Sequence, residues 1–172
     1  MKRLILILIT AALVLSLAPV FRVCCSKDDS SRDAERRLKR MIGAHPDSAL
    51  LYARLGGVYI RRETPEARAQ AVKYLEQALE IQPENTGFRR LLAEVYFEGT
   101  FWNYGVEQLR TALETDSGNG FIRYRLGKAY MERALEVWEQ EWFIGAETHL
   151  RRVRPDHPAY PAAVRQLALC HF

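Results

Sequence analysis

Apolar and small residues recur along this chain in one fixed pattern. A leucine is followed by a small residue and, three positions further on, by a ring: Leu55-Gly56…Tyr59, Leu92-Ala93…Tyr96, Leu126-Gly127…Tyr130 and Leu167-Ala168…His171. The four leucines are 37, 34 and 41 residues apart, a period typical of stacked helical hairpins. The sequence therefore predicts repeated pairs of helices rather than one closed globule.

A second pattern of small and bulky residues follows each of the first three leucines. It reads Ala71…Leu75…Ala78…Pro83, then Gly105…Leu109…Ala112…Ser117, then Ala146…Leu150…Val153…Pro158. Two helices approach closely only where one side chain is small. We therefore interpret the small residue after each leucine as a notch, and the tyrosine of the same pattern as the knob that fills the adjacent groove.

The two patterns together resemble the tetratricopeptide repeat, in which a helix A carries the leucine motif and a helix B carries the second pattern. The resemblance covers about residues 30–172 and implies an all-α, helical-hairpin repeat solenoid with about three full repeats and a lone helix at each end. The implied boundaries are a lone helix B at 34–48, repeats at 49–85, 86–119 and 120–160, and a partial repeat at 161–172. The residues that define the repeats are Leu55, Gly56, Tyr59, Ala71, Ala78, Pro83, Leu92, Ala93, Tyr96, Gly105, Ala112, Leu126, Gly127, Tyr130, Ala146, Pro158, Leu167 and Ala168.

Two repeats are longer than the 34-residue period. The first has three extra residues near 62–66, which we assign to a longer turn with Thr64 as N-cap and Pro65 as the first helical residue. The third has seven extra residues between Tyr130 and Ala146, with no glycine or proline over 131–143. Since seven residues make about two helical turns, we expect both helices of that hairpin to lengthen by about one turn each.

The N-terminal segment, residues 1–26, is predicted to be a signal peptide or a membrane anchor. Lys2 and Arg3 precede an apolar run of 18 residues over 4–21, and a polar tether follows at 27–33. Positive residues before such a run keep the N-terminus cytoplasmic, so the repeats are expected to be exported. Three alternatives stay open: a lipoprotein modified at Cys24 or Cys25, an uncleaved anchor, and a cleaved periplasmic or secreted protein.

Charge and motifs argue against nucleic-acid binding and catalysis. The chain has 25 basic and 21 acidic residues, and three of the basic residues lie in the N-terminal segment, so the repeats are nearly neutral. No phosphate-binding glycine loop, zinc-protease motif or serine-nucleophile motif occurs. His45, His149, His157 and His171 lack metal-ligand spacing. We expect no catalytic residues, no metal and no cofactor.

The resemblance places helix A on the concave side of the solenoid, where partner segments bind. Helical spacing from each leucine then selects the candidate groove residues Ile60, Arg90, Glu94, Phe97, Phe121, Tyr124, Lys128 and Met131. The position five after the leucine is apolar in every unit, which fits either helix packing or ligand anchoring. The hypothesis is that Phe97, Tyr124 and Met131 hold a peptide segment, while Arg90 and Lys128 meet its acidic groups.

Two further surfaces follow from the pattern. Aromatic residues near the hairpin tips would form a second apolar surface if exposed, although partial burial is expected for all four: Phe101, Tyr104, Trp138 and Trp142. The last helix leaves an apolar edge, formed by Val164, Leu167, Ala168 and His171, which a following helix or a second copy would cover.

The function favoured by the sequence is a protein-interaction scaffold of the cell envelope that binds a partner segment in the concave groove. Two alternatives remain: the N-terminal arm of a longer envelope protein or enzyme, and a structural protein that self-associates through its C-terminal edge.

Overall fold

A computed structural model describes residues 30–170 of the chain. All regular secondary structure in that range is α-helical, as the sequence predicted. The described residues belong to two compact units, one ending at Pro46 and the other beginning at Asp47.

The first unit contributes one helix, α1, which covers residues 30–44. Its surface carries ion pairs between residues one turn apart, such as Arg36 with Asp33. Residues 30–33, predicted as part of a polar tether, are helical and form the start of α1. The rest of the predicted anchor and tether lies outside the described residues.

The second unit contains seven helices, arranged as three antiparallel hairpins and one further helix. The hairpins pair α2 with α3, α4 with α5 and α6 with α7, and α8 follows the third hairpin. Their bounds are α2 Ala49–Ile60, α3 Pro65–Ile81, α4 Thr86–Glu98, α5 Trp102–Thr115, α6 Gly120–Val137, α7 Gln140–Leu150 and α8 Tyr160–Leu169. Thus α2, α4, α6 and α8 are helices A, and α3, α5 and α7 are helices B.

The two helices of a hairpin meet where helix A has a glycine and helix B a leucine. A Cβ at Gly56 would lie 3.0 Å from Leu75 Cγ, and one at Gly127 would lie 2.7 Å from Leu150 Cγ. The tyrosines of the pattern, interpreted as knobs for the adjacent groove, do not fill these notches. The leucines of helix B do so, and they are fully buried.

The tyrosines of the pattern instead join helix A to neighbouring rings and polar groups on helices B. Tyr59 stacks on Tyr74 of its own hairpin, with ring centroids 5.5 Å apart. Tyr96 reaches the preceding hairpin, where its hydroxyl donates to Glu76 Oε1 at 3.1 Å. Burial, with Glu76 adding to the effect, raises the pKa of Tyr96 to about 12.

Side chains cap the N-termini of three of the described helices: α3, α4 and α6. Thr64 Oγ1 accepts from the Ala67 amide at 3.2 Å, and Pro65 is the first residue of α3, which confirms both assignments made from the sequence. Asn85 and Asn119 cap α4 and α6 in the same way.

The extra residues of the first repeat mostly lengthen a helix rather than a turn. The connection between α2 and α3, residues 61–64, is one residue longer than that between α4 and α5, residues 99–101. Helix α3, however, has 17 residues where α5 has 14. The interpretation as a longer turn is therefore wrong, because proline and a threonine cap start the helix almost one turn early.

The extra residues of the third repeat extend both helices toward the tip of the hairpin. Helix α6 ends 11 residues after Leu126, where α4 ends six after Leu92, and α7 begins six residues before Ala146, where α5 begins three before Gly105. Both helices are thus extended at the tip, as predicted, but α7 has only 11 residues because it ends early, at Leu150. Helix α6 ends at Val137, and its C-cap Trp138 has a left-handed φ of 54°, which stops the helix without a glycine or a proline.

Candidate functional site

The candidate groove residues differ widely in accessibility. Met131 is only 1% exposed and belongs to the core cluster that also contains Ala163 of α8. It therefore offers no surface to a partner, and its assignment to the groove is corrected to the core. Helix α8 packs against α6, and its Ala163 belongs to the same core cluster as Met131.

Phe97 packs inside its own hairpin. A Cβ at Gly105 of α5 would lie 2.6 Å from a carbon of the Phe97 ring, so the ring rests directly on the glycine backbone. Phe97 is partly buried against the core cluster. The apolar position five after the leucine thus serves packing in both α4 and α6, and the anchoring role proposed for Phe97 is not supported by its placement.

Two aromatic candidates keep accessible surface. Phe121 is 50% exposed, and its ring meets His157 edge-on with centroids 4.6 Å apart. Tyr124 lies one turn further along α6 and rests partly on the core cluster. These two rings lie on one side of α6, because residues three apart are neighbours on a helix surface.

One of the charged candidates connects two neighbouring helices A. Glu94 of α4 forms an ion pair with Arg125 of α6, so its carboxylate is already engaged. Lys128 approaches Glu132 one turn later, with Nζ and Oε1 3.4 Å apart. Arg90 and Ile60 are partly exposed, and the described residues supply no carboxylate partner for Arg90.

A groove lined mainly by apolar side chains lies between α3 and the turn from α4 to α5. It has a volume of about 450 Å³. The early start of α3 supplies one wall, with Pro65, Arg68 and Ala69. Phe101 and Tyr104, both exposed, supply the other wall and touch edge-on at 6.5 Å. The expectation that these two rings would be partly buried is wrong.

The two tryptophans at the tip of the third hairpin have different environments. Trp138 is 78% exposed, again contrary to expectation. Trp142 is partly buried, as expected, and packs edge-on against Trp102 with centroids 5.1 Å apart. Only Trp142 therefore contributes to the joint between the second and third hairpins.

His149 occupies a site that the sequence pattern missed. Its ring stacks on Tyr130, and burial together with Arg123, Arg152 and Arg110 lowers the pKa of His149 to about 4. The Nδ1 atom is buried and has no hydrogen-bond partner among the described residues. The sequence signal that could have identified this site is the seven-residue spacing of Trp142 and His149, which places both on one face of a helix, two turns apart.

The last helix has an apolar exposed edge. Val164 and Leu169 are 44% and 48% exposed, and Ala168 is exposed as well. Leu167 instead rests partly on the core cluster, as does Cys170. Burial raises the pKa of the Cys170 thiol. His171 lies outside the described residues.

Within residues 30–170 no group of histidines, cysteines and acids is arranged to hold a metal ion. None of the helices described there has the length and apolar character needed to cross a membrane. Cys24, Cys25 and the apolar run lie outside this range.

No family model matches this chain. Several solved structures are similar to it in fold. The crystal structure of MamA has 15% sequence identity and a TM-score of 0.67, with 80% of this chain and 74% of that chain covered. The structure of YrrB, described as a TPR protein with an unusual peptide-binding site, has 18% identity, a TM-score of 0.62, and coverage of 83% and 70%.

The first tetratricopeptide domain of Spaghetti (RPAP3), bound to the HSP90 peptide SRMEEVD, has 16% identity and a TM-score of 0.58. It covers 72% of this chain and 90% of that chain. At these identities the likeness concerns the fold. The chain therefore has a tetratricopeptide-like helical repeat fold, as the sequence predicted.

Proposed function

We propose that this protein is a non-catalytic interaction scaffold of the cell envelope that binds a segment of a partner protein along its helices A. The fold supports this proposal, because two proteins with the same fold are described as binding peptides: the Spaghetti domain holds an HSP90 peptide, and YrrB has a peptide-binding site. Stacked helices A offer an extended surface suited to such a segment.

One observation carries the proposal. Among the candidate groove residues on α4 and α6 that keep accessible surface, we call four the inner-face set: Arg90, Phe121, Tyr124 and Lys128. Arg90 and Tyr124 occupy the same position of the repeat, two before the leucine. The ion pair between Glu94 and Arg125 ties α4 to α6 beside them, so the set lies on a connected surface.

The chemistry of the inner-face set defines the partner segment. Two rings provide apolar and π surfaces, and two basic side chains flank them, so the set favours a segment with an apolar residue beside acidic ones. Tyr124 remains an anchor and Phe121 joins it in place of Phe97 and Met131, since the latter two are occupied in packing.

Site-specific crosslinking tests this proposal. A photoreactive amino acid at position 121 should crosslink one partner in cells, whereas the same group at exposed Ile144 of α7 should not. A synthetic peptide from the crosslinked segment then allows calorimetric titration against purified protein. Tyr124→Ala should weaken binding by about 1–2 kcal/mol.

Tyr104→Ala is the matched control, because Tyr104 is an exposed tyrosine of the apolar groove beside α3. Loss of binding in Tyr104→Ala with full binding in Tyr124→Ala would move the site to that groove and contradict the inner-face assignment.

The envelope location is also part of the proposal. The basic pair and apolar run of residues 2–21 support export, with the repeats outside the cytoplasm. Cell fractionation followed by protease treatment of intact spheroplasts tests this. Digestion of the repeats is expected, and Cys24→Ser with Cys25→Ser separates a lipid anchor, which these changes release, from an uncleaved span, which they do not.

Self-association is a second candidate function, favoured by the exposed edge of α8. Val164 and Leu169 leave exposed apolar surface on α8, and such surface favours pairing with another copy. The molar mass measured by light scattering should then rise with concentration, and Val164→Glu should abolish the rise. Val164 is the better site for the charge, because Leu167 also packs on the core.

A further inference from the structure

Positive charge is concentrated in helix α1. Residues 30–44 contain five basic and two acidic side chains, which gives this helix a net charge of +3. Residues 47–172, by contrast, contain 16 basic and 17 acidic side chains and are close to neutral. The excess of one sign on a single helix indicates a partner of the opposite charge for that helix.

Four of the basic side chains gather on one side of α1. They line a shallow depression with a volume of about 650 Å³. The described residues that line it are Asp33, Arg36, Arg37, Lys39 and Arg40. We call the four basic residues of this list the basic face, and all four are exposed. Leu38 and Ile42, on the other side of the helix, are half-buried, so the basic face is the side that α1 presents to solvent.

The two acidic side chains of α1 are already paired with basic ones. The pairs are Arg36 with Asp33 and Lys39 with Glu35. Within residues 30–170 no carboxylate forms an ion pair with Arg37 or Arg40. These two arginines are three residues apart, so they are neighbours on the helix surface. Their guanidinium groups are therefore available together to an anionic partner.

The apolar run of residues 4–21, which is proposed above to lie in a membrane, brings α1 near a bilayer. Only residues 22–29 separate the end of this run from the start of α1. At about 3.6 Å per residue, such a segment spans at most about 29 Å even when it is fully extended. A helix held this close to a surface meets it at a high effective concentration, so weak contacts are sufficient to keep it there.

We propose that the basic face of α1 lies against a membrane surface that contains anionic phospholipid. Arginine binds phosphate oxygens through paired N–H donors, and lysine binds them as a point charge. Each basic side chain beside an anionic bilayer strengthens the association about fivefold. This contact rests on the proposed function for the nearness of the bilayer, and it identifies the part of the described chain that touches lipid.

Photocrosslinking to lipid tests the contact in the full chain. A photoreactive amino acid replaces Ala44, which is exposed and lies four residues after Arg40 and seven after Arg37, on the same side of the helix. The same group at exposed Ile144 of α7 is the control position. The protein is floated with vesicles of phosphatidylcholine, either alone or mixed with the anionic lipid phosphatidylglycerol. Position 44 should crosslink phosphatidylglycerol, whereas position 144 should not.

Paired charge variants test the basic face itself. Arg37→Gln with Arg40→Gln should lower the yield of lipid crosslinks from position 44 about fivefold or more. Arg54→Gln with Arg165→Gln is the matched control, because it removes two exposed arginines that have no ion pair within residues 30–170. This control changes the net charge equally and should leave the yield unchanged. Raising the salt from about 0.1 M to about 1 M should also lower the yield, since the Debye length falls to about 3 Å.

Flotation with phosphatidylcholine alone reports the anchor, so a failure of the anchor and a failure of the basic face are distinguishable. Flotation with equal crosslinking yields in the two lipid mixtures, or in the two double variants, retains the anchor and overturns the role of the basic face. Flotation that needs both phosphatidylglycerol and the two arginines of α1 supports the basic face and contradicts the anchor. Flotation with neither vesicle rejects both.

A second measurement in intact cells separates lipid from protein as the partner of the basic face. The photoreactive group at position 44 should again crosslink lipid, which mass spectrometry of the purified chain identifies. Crosslinks to a protein without crosslinks to lipid would assign the basic face to a partner chain and overturn the proposal.

Discussion

The imidazole of His149 lies face to face with the ring of Tyr130, with centroids 5.6 Å apart and planes 5° from parallel. Trp142, two turns earlier on the same helix, stacks on the same tyrosine at 5.8 Å. Arg110 from the second hairpin bonds the tyrosine hydroxyl, and Trp102 Nε1 donates to the Ala129 carbonyl at 3.2 Å. One tyrosine of the repeat pattern therefore organises the joint between two hairpins.

The stability of the fold should depend on the charge of His149. Its pKa in the folded chain is about 4, below the ordinary value near 6.5, so the unfolded chain takes up the proton first as pH falls. The contribution of His149 to the free energy of unfolding is complete above about pH 6.5, declines between pH 6.5 and 4, and is constant at lower pH. Screening at this partly exposed position limits the loss to on the order of 1 kcal/mol.

Urea unfolding in phosphate-free buffers across this pH range measures the effect. In His149→Gln the decline in the free energy of unfolding that His149 causes between pH 6.5 and 4 should be absent. His45→Gln, at an exposed position after α1, should retain this decline. Identical slopes for wild type and His149→Gln would show that the imidazole does not titrate in the way described.

Two glycines of helices A should respond oppositely to alanine. At Gly127 a Cβ would lie 2.7 Å from Leu150 Cγ and 3.2 Å from the Ala146 carbonyl oxygen, so Gly127→Ala should destabilise the protein by about 1–3 kcal/mol. At Gly57 no atom lies within 4 Å, and Gly57→Ala should stabilise α2 by about 0.5–1 kcal/mol. Denaturant midpoints of the two variants provide the comparison. Shifts of the same sign would contradict the close packing of Leu150 on Gly127.

Thr100 is strained in the turn between α4 and α5. Its φ of 65° is left-handed, which is costly for a β-branched residue, and the following amide of Phe101 bonds the Tyr96 carbonyl at 2.9 Å. Thr100→Gly should therefore raise the free energy of unfolding by about 0.5–1 kcal/mol. Thr111→Gly in the interior of α5 should lower it instead, and a loss of stability in both variants would count against strain at Thr100.

Met131 should behave as a core residue. Met131→Ala leaves a cavity between α6 and α8 and should cost about 2–4 kcal/mol in thermal or chemical unfolding. Leu135→Ala, one turn later on the same helix at a position that is 46% exposed, should cost well under half as much. Equal losses would place Met131 outside the core and restore it as a groove candidate.

The sequence predicted the helices of the stack well, because its signals are local. The leucine-to-leucine period set the hairpins, and Thr64 with Pro65 marked the start of α3. The same local rules could not decide how extra residues are shared between two helices. In the third repeat the left-handed backbone at Trp138 sets the reversal so that α6 gains five residues at the hairpin tip and α7 three, and no residue type there signals it.

The sequence by itself determined the all-α repeat architecture, because a leucine, a small residue and a ring recur at one-turn spacing in units of 34 to 41 residues. Only the tertiary structure decided which apolar side chains are free. Met131 and Phe97 occupy the same repeat position. Met131 is buried in the core cluster to which Ala163 of α8 also belongs, whereas the ring of Phe97 packs on Gly105. Spacing determines the face of a helix on which a residue lies, but its accessibility depends on the neighbouring helices that pack against that face.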